Sequence, residues 1–261
     1  MTYTNAQLFY AHCIGGTVFF ILGTWWAIGA WYAYSLRRHE RAYYRRTAYS
    51  VLPGVKPRCV EGFYKITVGA LALAGFGRLL IVRGVFNEGM NAQHLSVALF
   101  VFLNGVLDLL THYKAPIPRG TDYVGLLMAL CVEALLFSFH LHGREKLDVL
   151  AHKLLVLAIA SEAACVGVEM CHQRNVLATL GRAFFGILQG TWFCQIAFIL
   201  YNQLPGALPW EDDHQSLMLA AAVFTWHMFG VLLYLALVGT LVSTCLKNYL
   251  NSGWTEKEYS A

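Results

Sequence analysis

Charged side chains are scarce in this chain. Asp, Glu, Lys and Arg make up 13% of its 261 residues, about half the share typical of soluble domains, and a water-soluble fold of that composition would leave its surface uncovered. Several common sources of function are missing too. There is no glycine-rich phosphate loop, nucleophile elbow or CxxC pair, which removes the sequence signatures of nucleotide binding, serine hydrolysis and thiol redox chemistry. Internal repeats, low-complexity tracts and the discontinuous paired spans of many transporters are absent as well. The seven cysteines lie mostly within or beside apolar stretches, with none in the expected external loops, so no disulfide framework is expected. Met1 to His12 holds no Lys or Arg, and the first apolar stretch is too long for a signal-peptide core, so it is expected to remain in the mature protein.

What is present is apolar. Hydrophobic residues reach 57%, and they gather into stretches near Leu8–Leu36, Val60–Val82, Met90–Tyr113, Gly120–His142, Leu147–Cys171, Leu177–Tyr201 and Ser216–Leu246. Each is long enough to cross a hydrocarbon core about 30 Å thick. Lipid cannot hydrogen-bond an exposed backbone, and the stretches lack the alternation of barrel strands, so helices are the expected solution. The fold class is therefore an all-α, polytopic membrane bundle of about seven transmembrane helices. The longest connection, 37–59, is too short for a folded domain, so residues 1–261 form a single domain.

Basic residues orient it. Arg37, Arg38, Arg41, Arg45, Arg46, Lys56, Arg58, Lys114, Arg119, Arg174, Lys247 and Lys257 fall on one side of the membrane, whereas the other side holds Arg83, Arg144 and Lys146 and an acidic last loop with Glu211, Asp212 and Asp213. By the positive-inside rule the N-terminus is outside or lumenal and the C-terminus cytosolic. The basic loop 37–59 is expected to meet anionic inner-leaflet lipid; membrane lipids, rather than nucleic acid, are the expected partners.

Ionisable groups inside spans cost a few kcal/mol each unless paired or hydrated, and so mark function. With that orientation His12, His94, His140, His142, Asp148 and His152 all come to the outer face, from spans one, three, four and five. Imidazoles with a carboxylate suit zinc, and three protein ligands plus an open position would make the site catalytic. Asp148 lies four residues before His152 and Glu133 seven before His140, which aligns each pair on a helix face; either carboxylate is alternatively a partner that orients a ligating histidine. Headgroup-level histidines with no specific bond are the plainer alternative. Deeper lie Glu133, Glu162, Gln189, Trp226 and His227, and toward the cytosol Glu61, Lys65, Asp108, His112 and Glu169. Glu61 and Lys65, four apart, are expected to form a local structural ion pair. Glu162 and Glu169, seven apart, suggest a polar stripe that lines a cavity or proton path, or else interhelical hydrogen bonds.

Together these residues carry a family resemblance. His12 with Gly16, Gly23, Trp25 and Trp26; Glu61, Gly62 and Lys65; Asn91, Gln93, His94, Gly105 and Asp108; Glu133, Phe137, His140, His142, Leu147, Asp148, His152 and Glu169; Leu188 to Phe193 with Gln195, Ile196 and Phe198; and Trp226 with His227 resemble the motifs of the transmembrane protein 45 family, which includes the transmembrane epididymal protein. His112, Glu162 and the long basic first loop depart from its pattern. The resemblance implies a multi-pass protein of the endomembrane system or plasma membrane and names no activity. The residues themselves suggest a divalent-metal site, with zinc as the candidate cofactor and Glu133 as a candidate base for lipid or acyl hydrolysis. A non-enzymatic trafficking, scaffold or receptor-like bundle is the alternative, and an ion or proton transporter the third.

Overall fold

A computed structural model describes residues 4–40, 48–50, 52, 55, 59–83, 89–139, 141, 143–202 and 210–259. Within them the apolar stretches are helices: α1 (Asn5–Glu40), α2 (Val60–Arg83), α3 (Gly89–His112), α4 (Thr121–Phe139), α5 (Lys146–Cys171), α6 (Val176–Leu200) and α7 (His214–Tyr259). All seven are long and apolar enough to span a membrane, as their hydropathy predicts. The chain is an integral membrane protein. The main boundary difference is at α7, which continues past Leu246 to Tyr259. The stretch after Leu246 is polar, and so ends the apolar pattern without ending the helix, because helix formation does not require apolar residues.

Odd-numbered helices start at one membrane face, called here the first face, and α2, α4 and α6 start at the second. The helices pack as α2 on α3, α3 on α4, α4 on α5, α5 on α6 and α6 on α1, with α7 against α1, α5 and α6. Tyr64 of α2 donates to the Val18 carbonyl of α1 at 3.0 Å, which closes the first six helices around a common interior. The α1–α6 contact is the most extensive, and glycine is the reason. A Cβ on Gly190 would stand 2.4 Å from the Phe20 nitrogen, and one on Gly23 would stand 2.6 Å from the Ile187 nitrogen. Lipid supplies no hydrophobic drive between helices, so close backbone approach at small residues is what holds them.

Helix α6 is the axis of this arrangement. Ile187, Leu188, Gln189, Trp192 and Ile196 are all fully buried, whereas Phe229, Leu233, Leu237 and Leu241 of α7 face outward, as a lipid-facing surface should. Trp226 shares that outward face; although it lies along the span, it is not part of the interior.

Candidate functional site

At the first face three expected histidines come together. His12 and His152 have ring centres 6.1 Å apart, and His94 is close enough for its charge to act on His12 and for that of His152 to act on His94. Their aromatic surroundings link them further. Phe137 packs on His94, and Phe193 packs on both Phe137 and His12. Each ring is oriented by its own helix: Nδ1 meets the carbonyl four residues earlier, at 2.8 Å in His12 (Leu8), 2.8 Å in His94 (Met90) and 3.0 Å in His152 (Asp148). A carbonyl oxygen only accepts, so Nδ1 carries the proton and the lone pair sits on Nε2. Asp148 extends the set. Its Oδ1 is 2.7 Å from His152 Nδ1, and its Oδ2 accepts from Arg144 at 2.7 Å. His140 and His142, expected at this level, lie outside the described residues. Among the described residues no three histidine, cysteine or carboxylate side chains are grouped so as to hold a metal ion.

The second face holds the densest polar structure. Lys65 bridges Glu61 at 2.7 Å and Asp108 at 2.8 Å, so the expected local pair is present and gains a third member from α3. Trp26 Nε1 donates to Glu61 at 2.7 Å. Arg182 pairs with Glu169 at 3.1 Å, stacks 4.5 Å over the Trp26 ring and donates to the Ala48 carbonyl. Glu169 also accepts from Thr179 at 2.9 Å and Tyr123 at 3.3 Å. Through this network the tripeptide Ala48–Ser50, from the α1–α2 connection, is drawn into the bundle: Asp122 accepts from the Ala48 nitrogen at 2.8 Å, Glu61 from the Ser50 nitrogen at 2.7 Å, and Trp25 donates to the Ser50 carbonyl at 3.3 Å. All three residues are buried. A buried backbone needs such partners, since it has no water to turn to.

Between the faces sit Glu133, Glu162 and Gln189. Gln189 Nε2 donates to Glu133 Oε1 at 2.7 Å. Glu162 lies beside Gly186 and Trp26, where a Cβ on Gly186 would be 3.5 Å from Glu162 Oε2. His227 leans on Trp192 and approaches Gln195 at 3.4 Å. His112 packs on Tyr49 and Tyr113; Asp108, fourteen residues after His94 and four before His112 and so on their helix face by spacing, engages Lys65 instead.

Two residues central to this interior escape sequence reasoning, Arg182 and Asp122. Both stand near the second-face start of a span, where a charge ordinarily reaches out to the headgroups. Both are buried, Arg182 completely. Their signal was available: Gly181, just before Arg182, meets Cys165 of α5 so closely that a Cβ there would stand 2.8 Å from its sulfur, and such close approach leaves little route outward.

Residues 120–239 match the model of a family of unknown function, DUF716. Over 196 residues, 67% of the chain, it is 27% identical to transmembrane epididymal protein 1 of Homo sapiens, covering 71% of that protein. It is 26% identical to transmembrane epididymal protein 1A of Mus musculus over 68% of the chain and 62% of the relative. For transmembrane epididymal protein 1 of Rattus norvegicus the figures are 28%, 56% and 49%. The match takes in the helices that carry His152, Glu162, Arg182 and Gln189. The chain is thus a multi-pass membrane protein whose residues 120–239 resemble the DUF716 family, and it is similar to the transmembrane epididymal proteins.

Proposed function

We propose that His12, His94 and His152 bind a divalent metal ion at the first face, zinc being the ion that three imidazoles and an open position suit best. What supports this is the shared orientation of the three rings. Each Nδ1 is committed to a carbonyl of its own helix, the arrangement by which a ligating histidine is held so that Nε2 meets the metal. Two imidazoles on one zinc at about 2.1 Å have ring centres roughly 5 Å apart, and the His12–His152 separation of 6.1 Å exceeds that by a side-chain adjustment. Asp148, held by Arg144, would raise the basicity of His152. His140 and His142, the further donors expected from the sequence, lie outside the described residues.

A metal with an open position lowers the pKa of bound water toward neutrality and so supplies a hydroxide nucleophile. The reaction class is then hydrolysis of a lipid or acyl substrate that reaches the site from the outer leaflet of an endomembrane or plasma membrane, with an external N-terminus; Glu133, the base expected from the sequence, is bonded to Gln189 between the faces and takes no part in this step. Elemental analysis of the purified full-length protein tests the first step. About one divalent metal per chain is expected, falling in His12→Ala, His94→Ala and His152→Ala. Metal-free wild type, or a metal retained when all three are replaced, contradicts it and favours a non-enzymatic scaffold or trafficking protein.

A further inference from the structure

Among the described residues six carboxyl side chains are buried in the interior, namely Glu61, Asp108, Asp122, Glu133, Glu162 and Glu169, against two buried cations, Lys65 and Arg182. The difference, six minus two, is four. The cations are already spoken for: Lys65 takes Glu61 and Asp108, and Arg182 takes Glu169. Asp122 is compensated by a backbone amide. What is left over is Glu133 and Glu162, which sit close enough for their charges to interact, within the spans of α4 and α5 between the two faces. Two ionised carboxylates cannot share such a site without a positive partner.

The hydrogen bonding at this point is also incomplete. Among the described residues Glu162 Oε2 and Gln189 Oε1 are both fully enclosed and have no donor, although Gln189 itself is fastened to Glu133. Both atoms are acceptors, and two acceptors without donors, next to an uncompensated carboxyl pair, ask for added positive charge. A hard metal cation is a poor fit, since it requires about six oxygen ligands, and the neighbourhood offers two carboxyls and one amide against the Trp26 ring and the Gly186 backbone. A proton needs only one acceptor on either side.

We infer that Glu133, bonded to Gln189 of α6, and Glu162, enclosed beside Gly186 of the same helix, form a proton-binding site between the two faces that takes up and releases a proton independently of the histidine cluster. One carboxyl carries the proton and donates to a neighbouring acceptor while the other stays ionised. Release leaves both carboxylates ionised in one interior, balanced only at longer range by Arg182 of α6 and Lys65 of α2, the cations that act on Glu162. From α6, Gln189 is bonded to Glu133 and Gly186 lies beside Glu162, with the uncharged Trp26 ring of α1 adjoining. The site lies on the route between the first-face histidines and the Arg182 network, where a proton relay would need a station.

Infrared difference spectroscopy of the full-length protein in lipid vesicles, recorded on pH jumps, tests this. The expected result is a protonated-carboxyl carbonyl band that is lost as pH rises and that disappears in Glu133→Gln or Glu162→Gln, with no response to added sodium or calcium chloride. A band that persists unchanged at every pH, a band unaffected by either substitution, or one removed by added cation would each overturn the proposal. Should the variants fail to fold, the wild type suffices: a hydrophobic carbodiimide adds across the O–H of a protonated carboxyl, so peptide mapping should find the adduct on Glu133 or Glu162 in an amount that falls as pH rises. Adduct at both residues that does not vary with pH, or at neither while other membrane carboxyls react, would equally refute it.

Discussion

The two faces of this bundle use buried polar residues in opposite ways. At the second face the buried charges among the described residues each have a counter-charge or a backbone partner: Lys65 with Glu61 and Asp108, Arg182 with Glu169, Asp122 with the Ala48 nitrogen. With Trp26 that network holds six helices and an incoming loop segment together, and its chemistry is spent on doing so. At the first face the polar groups are rings oriented by their own helices, with one carboxylate pair that is partly exposed, at about a fifth of its side-chain surface. Orientation without mutual neutralisation is how a site for something external is prepared. The contrast is one of pairing: the second-face charges neutralise one another, whereas the proposed first-face site is built on rings held by backbone carbonyls.

Breaking the second face should cost most. Replacing Arg182 with Leu leaves Glu169 buried without its cation and releases both the Trp26 ring and the Ala48 carbonyl, and removal of one partner from a buried pair typically costs about 3–5 kcal/mol. Loss of folded protein in detergent, read by size-exclusion chromatography and a melting curve, is the expected outcome. Lys65→Met should approach the same cost, but adding Glu61→Gln and Asp108→Asn should recover part of it, since replacing a whole buried ion cluster by neutral groups is far milder than orphaning its members. Melting temperatures of the single and triple variants check the sign of that recovery. Gly190→Leu should come next, at about 1–3 kcal/mol, through a clash with Phe20 and Gly16 that pushes α1 off α6. The smallest effect belongs to the exposed basic end of α1. Arg37→Gln should weaken association with vesicles rich in anionic lipid by about 1 kcal/mol, with no change in melting temperature.

Much of this was legible in the residues. Seven apolar stretches had only one solution in lipid, and their depths brought His12, His94 and His152 to one face before any contact was known. Spacing also paired Glu61 with Lys65. What remained hidden was lateral rather than vertical. A sequence gives how far along a span a residue lies but not which way it turns around the bundle: Trp226 turns to lipid and His227 inward, and Asp108 turns from the histidines to Lys65. Arg182 was hidden for a related reason: a charge near a helix end normally snorkels, and the close approach of Gly181 to Cys165 of α5 together with the Trp26 ring beside it explains why this one stays in. The run Arg38 to Arg46 and the histidines 140 and 142 fall largely outside the described residues.

Metal-dependent stability of the first face tests the central claim most directly. A ligand that binds the folded state raises its stability by about 2.7 kcal/mol when present at a hundred times its dissociation constant. Melting curves of full-length protein in detergent should therefore fall when a chelator strips the wild type and recover when zinc is returned, while His12→Ala and His152→Ala should melt near the stripped wild type and gain nothing from zinc. Equal melting temperatures for wild type and both variants, with neither chelator nor zinc moving any of them, would contradict a metal site and leave the three histidines as ring packing against Phe137 and Phe193.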